Sequence, residues 1–278
     1  MCDIYHRCLD HANVQSIARR RIDTILAERG LAPSRSAAAS AVRAGSVRVG
    51  RGGERATKPS QMVPADAELH VEQPNRYVSR GGLKLAGALE AFDIDVSELD
   101  CLDVGASTGG FTDCLLQRGA RRVVALDVGH GQLDWGLRND RRVTSIERTN
   151  ARTLGNQTAL PFDPALATVD VSFISLEKIL PSIAQCLTQR GAILALVKPQ
   201  FELGPRRVGK GGIVRLAADR REAVLMAGRA AEALGLGVAG IAPSVERGSK
   251  GNQETFLLLR GGGPRHPELK SAILTAGC

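Results

Sequence analysis

The sequence predicts an α/β protein: a mostly parallel sheet with helices on both faces and an antiparallel last strand, preceded by a small α+β module. Three observations predict it. From Leu99 onward, apolar runs alternate with amphipathic segments, the pattern of strand–helix–strand units in a parallel sheet. The first run, Leu102-Asp-Val-Gly-Ala-Ser-Thr-Gly-Gly-Phe-Thr112, passes through an acid into a glycine-rich turn, as a parallel strand does when a helix N-terminus faces a ligand at its end. Ahead of Gln73-Pro74-Asn75 the composition differs: between Ile17 and Arg76 eleven basic residues stand against six acidic ones. The 278-residue chain carries a formal net charge of +8, so most of the excess lies in under a quarter of its length.

The elements follow in order. Residues 1–16 read as a disordered arm; its Cys2, His6, Cys8 and His11 are spaced too tightly for a structural zinc site, and no metal is expected. Ile22, Ile25 and Leu26 repeat at helical spacing up to Gly30. Ser34 or Ser36 caps a second, alanine-rich helix (Ala37 to Ala44) that ends at Gly45. Val47-Arg-Val49, a glycine turn at Gly50 to Gly53 and Glu68-Leu-His-Val71 supply short strands. These elements bound a first module at 17–72, and a linker at 73–80 leads to a second domain at 81–262. In that domain Leu83, Leu85, Leu89 and Phe92 form the apolar stripe of a helix carrying Lys84. Strands are expected near 100–105, 122–127, 143–147, 166–171, 191–197, 238–244 and 253–260, with long helices near 176–190 and 216–235. Gly248-Ser-Lys-Gly-Asn252 turns the chain into a last strand antiparallel to its predecessor. Residues 263–278 form a Pro/Gly-rich tail.

Composition excludes several classes. The six cysteines make no C-x-x-C pair and no disulfide framework, a reducing-compartment pattern. No apolar run approaches the roughly 18 residues a membrane helix needs, and the N-terminus lacks a signal-peptide core. A soluble, cytoplasmic protein without a membrane partner is expected. The basic excess in a compact module favours nucleic acid over a merely solvated face.

The glycine turn admits several readings. A dinucleotide fingerprint fails, because Ser107 stands at the middle glycine. Gly105-Ala-Ser107-Thr-Gly109 matches a hydrolase nucleophile elbow, which also needs a late histidine; downstream lie only His130, too early, and His266, in the tail. A tight turn with no ligand is the plainest alternative. The remaining reading is a turn for S-adenosylmethionine (SAM): Gly105 to Gly109 pass under the methionyl part, and Asp127, ending Val123-Val-Ala-Leu-Asp127, holds the ribose diol.

Charged residues at the carboxyl ends of apolar strands are costly unless paired or used. Asp170 ends Ala167-Thr-Val-Asp170, Lys198 ends Ile193-Leu-Ala-Leu-Val-Lys198, and Glu254 begins the last strand. With Lys84 they converge on one crevice. In order and context these four match the Lys-Asp-Lys-Glu tetrad of FtsJ-type RNA ribose 2′-O-methyltransferases. The helix pair with Arg21-Ile-Asp23, Glu28-Arg-Gly30, Ser34-Arg-Ser36, Ala44-Gly45-Ser-Val47 and Lys58-Pro59 resembles an S4 RNA-binding domain. Together, from about Ile17 to Arg260, the chain resembles the TlyA/haemolysin A family. Further carriers are Ser79-Arg-Gly-Gly-Leu-Lys-Leu85, Asp127-Val-Gly-His-Gly-Gln132, Glu147-Arg-Thr-Asn150, Asp170-Val-Ser-Phe-Ile-Ser175 and Val197-Lys-Pro-Gln-Phe201.

The resemblance implies a Rossmann-like SAM-dependent methyltransferase sheet behind the S4 domain. It implies SAM as cofactor, ribosomal RNA or ribosomal subunits as partner, and a cytidine ribose as target, in the large subunit or one in each subunit. Lys84, Asp170, Lys198 and Glu254 would be catalytic, with Lys198 meeting the 2′-hydroxyl as a base or as a cation stabilising the oxyanion. Asp103, Gly105, Ser107, Thr108, Gly109, Phe111, Asp127, Asn150, Ala151 and Asp170 would bind the cofactor. Arg21, Arg35, Arg43, Arg48, Lys58 and Arg80 would bind RNA. The family's linker, with Tyr77 as its aromatic, would fall at about Arg76–Ser79. A non-catalytic ribosome-assembly factor would not need the intact tetrad. A membrane-lytic protein would need a span or an amphipathic basic–apolar helix, which the sequence lacks.

Overall fold

The computed structural model describes residues 18–43, 45–71, 76–155, 158–262 and 269–276. The arm at 1–16, with Cys2, His6, Cys8 and His11, lies outside the described residues. The chain divides into two compact units, Met1–Pro74 and Asn75–Cys278.

The first unit runs β1 (Arg19–Arg21), α1 (Ile22–Glu28), α2 (Arg35–Arg43), β2 (Val47–Val49), β3 (Glu54–Arg55), β4 (Met62–Pro64) and β5 (Leu69–Val71). Ile22, Ile25 and Leu26 of α1 pack with Ala38 and Val42 of α2 over Val47, Val63 and Leu69. The Ala37 amide donates to Ser34 Oγ at 3.1 Å, so Ser34 opens α2. The strands form a three-stranded sheet, β3-β2-β5, and a pair, β1-β4. The sequence gives no sign of β1, because three consecutive exposed arginines carry little strand propensity; its pairing with Met62–Pro64 holds it.

The second unit runs α3 (Arg80–Ala91), β6 (Asp100–Val104), α4 (Gly110–Gln117), β7 (Arg122–Leu126), α5 (Trp135–Arg138), β8 (Val143–Ile146), β9 (Leu166–Val169), α6 (Leu180–Cys186), β10 (Ala192–Val197), α7 (Pro199–Glu202), α8 (Ala217–Ala233), β11 (Leu236–Pro243), β12 (Thr255–Gly261) and α9 (Leu269–Thr275). Its seven strands lie in the order β11-β12-β10-β9-β6-β7-β8. β6 to β10 are mutually parallel, and β12 runs antiparallel between β10 and β11. Two apolar layers cover the faces of this sheet, which is why its central strands are continuous aliphatic runs rather than alternating ones.

The strands fall where the alternation predicts them. The expected helix over 176–190 is a correction: a 3₁₀ turn at Leu176–Lys178 precedes a separate, short α6. Ser175 caps the first piece by accepting from the Glu177 amide, and Pro181 at the start of α6 cannot continue an earlier ladder. The Pro/Gly-rich tail contains α9, whose Leu269 and Ile273 are buried.

Chain order reverses between β6 and β9: β7 and β8 lie to one side, and β9, β10 and the antiparallel pair to the other. That switch point opens a crevice at the strand carboxyl ends. Gly105, at the end of β6 with φ +86°, passes so close to β9 that a Cβ there would sit 2.5 Å from the Asp170 carbonyl oxygen. On one side α3 and α4 meet with almost no side chain between them. A Cβ on Gly110 would lie 2.2 Å from Ser79 Oγ and 2.9 Å from the Gly82 amide nitrogen. This contact brings Lys84, on the second turn of α3, to the crevice.

Candidate active site

Lys84, Asp170, Lys198 and Glu254 line one cavity of about 590 Å³, together with Gly105, Ser107, Thr108 and Phe111 of the turn. Three devices deliver them. Asp170 and Lys198 directly follow β9 and β10, so both lie at carboxyl ends. Glu254 directly precedes β12, whose antiparallel course puts its start opposite the end of β10, with Thr255 paired to Val197. Lys84 arrives from α3.

The four groups form two ion pairs. Lys84 Nζ donates to Glu254 Oε2 at 2.6 Å, and both residues are buried, at 9% and 2% exposure. Lys198 Nζ lies 2.7 Å from Asp170 Oδ1. That contact is an ion pair without hydrogen-bond direction, since Oδ1 is buried and accepts no hydrogen bond. Lys198 instead donates to Ser172 Oγ at 3.1 Å. An ammonium group has three donors, so Lys198 keeps donor capacity for a substrate oxygen.

A second lobe of about 400 Å³ adjoins the first, lined by Gly105, Ser107, Asp127, Val128, Gln132, Asn150, Ala151 and Ile179 among others. The Asp127 carboxylate is oriented by two backbone amides, Ser107 N at 2.8 Å and Gly129 N at 2.6 Å. Each of its oxygens retains a lone pair for a diol. Ser107 holds φ +48°, an unusual conformation for a residue with a side chain, and its hydroxyl donates to Gln132 Oε1 at 3.3 Å, not to a histidine. Asn150 accepts from the Arg152 amide and, with Ala151, closes the far end beside Val128, which is 72% exposed.

Two expected cofactor residues do not line either lobe. Asp103 is fully buried beneath the turn, accepting from Thr112 Oγ1 at 2.7 Å and Thr168 Oγ1 at 3.4 Å. Gly109 N-caps α4 with φ +96°, and a Cβ there would strike Leu137 and Leu133. Both shape the turn from behind. Burial pushes the Asp103 carboxyl up from 3.8 to about 7; the Thr112 hydrogen bond opposes the shift and the nearby Asp170 charge adds to it. Its stabilising contribution is therefore fully present below pH 3.8 and is lost as pH rises through about 7. Asp103→Asn should flatten the decline in stability across that window, as urea unfolding at pH about 4 and about 8 would show.

The crevice also holds residues that sequence reasoning passed over. Phe173 is 90% exposed with φ +66°, its ring 5.1 Å from that of Phe201. Ser79, Ser172, Gln200 and Lys250 line the same cavity. Phe173 and Phe201 stand in the quoted motif segments, but no periodicity marks an exposed aromatic as functional. Arg80 reaches the cavity from the start of α3. Residues 76–79 are fastened within the second unit: the Val78 amide donates to Asp113 Oδ2 at 2.8 Å, Gln117 Nε2 to the Arg76 carbonyl at 2.9 Å, and Tyr77 is 2% exposed.

In the first unit, Arg21 grips buried Asp23 through two hydrogen bonds of 3.0 and 2.7 Å, and Arg35 Nε lies 3.4 Å from the same carboxylate. The Arg21 hydrogen bonds are the main reason Asp23 falls to about 2, against the opposing effect of burial. These two arginines thus tie the start of α1 to α2. Arg48 donates to the Gly53 carbonyl at 3.1 Å, while Arg43 and Lys58 are exposed. Among the described residues no helix is long and apolar enough to cross a membrane, and no cluster of His, Cys, Asp and Glu fits a metal ion.

Comparison with known proteins agrees with this geometry. Residues 77–261 match the FtsJ-like methyltransferase family and residues 20–69 match the S4 domain. The chain is 48% identical over 244 residues to the 16S/23S rRNA (cytidine-2′-O)-methyltransferase TlyA of Mycobacterium tuberculosis, covering 87% of this chain and 90% of that protein. It is 45% identical over 195 residues to hemolysin A of Brachyspira hyodysenteriae, covering 70% and 80%. A solved structure of a candidate hemolysin from Streptococcus thermophilus is similar at 38% identity and TM-score 0.67, covering 94% of this chain and 97% of that one. An S4 domain, a methyltransferase sheet and relatives matched over most of their length place this chain in the FtsJ-like methyltransferase family, in the branch of TlyA and hemolysin A.

Proposed function

We propose that this protein methylates the ribose 2′-hydroxyl of cytidine in ribosomal RNA, using SAM, with one target in each ribosomal subunit. The observation that carries this reading is the convergence of Lys84, Asp170, Lys198 and Glu254 on the cavity that the Gly105–Phe111 turn enters. The M. tuberculosis relative, named for both 16S and 23S rRNA, supports the dual target.

The second lobe fits SAM by its donor set. The Asp127 carboxylate suits a ribose diol, Ala151, Val128 and Ile179 suit a flat purine, and the turn from Gly105 to Thr108 leaves backbone close to the methionyl end. When bound, SAM supplies a methyl group activated by a positively charged sulfur. The protein's own residues do the rest. A ribose hydroxyl is a weak nucleophile at neutral pH, so alignment and stabilisation of its developing negative charge carry the reaction. Lys198 meets that oxygen with its remaining donor capacity. Asp170 and Ser172 hold the ammonium in place, and the buried Lys84–Glu254 pair fixes the opposite wall. Exposed Phe173 and half-buried Phe201 offer aromatic faces to an unstacked base.

The module at 17–72 grips RNA through Arg43, Arg48 and Lys58, with Arg21 and Arg35 contributing only what their bonds to Asp23 leave. The linker at 73–80, whose Arg80 guides the RNA at the cavity mouth, joins it to the catalytic domain at 81–262. Residues 1–16 lie outside both, whereas α9 of the 263–278 tail packs Leu269 and Ile273 into the core of the second unit. Ribose-methylation mapping of ribosomal RNA from cells with and without the gene tests the reading. One cytidine in each subunit is expected to lose its 2′-O-methyl group, and an unchanged pattern contradicts the proposal.

A further inference from the structure

Gln200 stands two residues beyond Lys198 and lines the same cavity. Its Oε1 is buried and has no hydrogen-bond partner. Its NH₂ likewise has no partner among the described residues. Buried polar groups in folded proteins are nearly always satisfied, and each exception calls for an explanation such as a ligand.

The explanation is not a loose element. α7 begins at Pro199, whose ring fixes the first turn. At its other end, buried Glu202 accepts from Ser175 Oγ at 2.6 Å and from the Leu176 amide at 3.0 Å. The helix bearing the unsatisfied amide is therefore tied to the segment bearing Ser172 and Phe173. The helix is held in position, and the missing partner of its unsatisfied amide belongs to whatever enters the cavity.

The chemistry of that partner is constrained. Lys198 marks where the reacting ribose oxygen lies under the proposed function, on which this inference rests. A residue two positions further along, on the same wall, lies within a nucleoside's reach of it. A carboxamide presents an acceptor and a donor side by side. Cytosine presents their complement on its Watson–Crick edge, the 4-amino donor beside the N3 acceptor. Glutamine and asparagine read adenine by the same adjacent donor–acceptor logic in DNA grooves. We infer that Gln200 is a base-positioning residue that hydrogen-bonds the Watson–Crick edge of the target cytosine.

A cycle between enzyme and substrate tests this. Ribosomal RNA fragments would carry, at the methylated position, either cytidine or the 2-pyrimidinone nucleoside that lacks the 4-amino group. The full-length chain would be assayed as wild type, Gln200→Met and Gln200→Leu, with SAM affinity measured alongside. Removing the amino group should lower wild-type kcat/KM by about ten- to a hundredfold, the size of a bidentate amide–base pair. Each variant should lose a similar factor on cytidine RNA, lose little more on the analogue, and bind SAM as wild type does. Losses that multiply independently, or variants as active as wild type on cytidine RNA, would overturn the inference. A wild-type protein that binds SAM and this RNA yet methylates neither fragment would overturn the proposed function itself, a result distinguishable from either.

Discussion

Lys198→Ala is expected to bind SAM with wild-type affinity, to bind ribosomal RNA nearly as well, and to transfer methyl groups at least about a hundredfold more slowly. Lys198 sits on the first-lobe side, between Asp170 at 2.7 Å and Ser172 at 3.1 Å, and does not line the lobe assigned to the adenosine part. Under the proposed function its loss removes a cation placed to meet the reacting oxygen, without touching Asp127 or the glycine turn. The charge it leaves behind, on Asp170, is part-exposed and therefore tolerated. Single-turnover transfer set beside SAM titration calorimetry checks the split. Near-normal turnover, or a loss explained wholly by weaker SAM binding, would remove Lys198 from the reaction.

Glu254→Ala should act on stability as well as activity. It strands Lys84, whose side chain is 11% exposed, beside a site where the carboxylate is 2% exposed. A buried pair broken on one side typically costs about 3–5 kcal/mol, because the remaining charge has no partner and little water. The penalty should appear as a lower urea midpoint with an unchanged slope. The double variant Lys84→Met with Glu254→Leu should regain most of that stability, since well-packed apolar replacements remove both buried charges together. It should regain none of the activity. Recovery of methyl transfer in the double variant would reduce the pair to a fold element, and wild-type stability in Glu254→Ala would show that the pair is not held as described.

The sheet was legible because fully buried parallel strands must be aliphatic along their whole length, and the acids and lysines at their ends stand out against that background. Asp170, Lys198 and Glu254 followed from the same rule, whereas Lys84 lies on helix α3 and joined them through the family resemblance. Strand ends converge on one crevice, and the turn at Gly248–Asn252 brings the start of β12 to that edge. Asp103 shows what a motif alone conceals. Strand side chains alternate, Leu102 and Val104 enter one apolar layer and Cys101 the other, so Asp103 faces α4 instead of the cofactor lobe. Period-two bookkeeping along β6 was the signal that could have found this. The Arg21-Ile-Asp23 spacing was likewise a hint that Arg21 is bound within its own fold. Gln200 and Phe173 left no such trace, because an unsatisfied amide and an exposed ring become visible only when the surrounding bonds are known. The broken helix at 176–190 was foreshadowed by Ser175 and Pro181, whose local chemistry outweighs the apolar spacing.

The most direct test of the central claim is methyl transfer from labelled SAM to purified ribosomal subunits, followed by digestion to nucleosides. The label is predicted to appear as 2′-O-methylcytidine, to be absent with Lys198→Ala, and to be absent when the target ribose is a 2′-deoxy sugar. Label on a base, or on RNA whose target lacks the 2′-hydroxyl, would contradict the account.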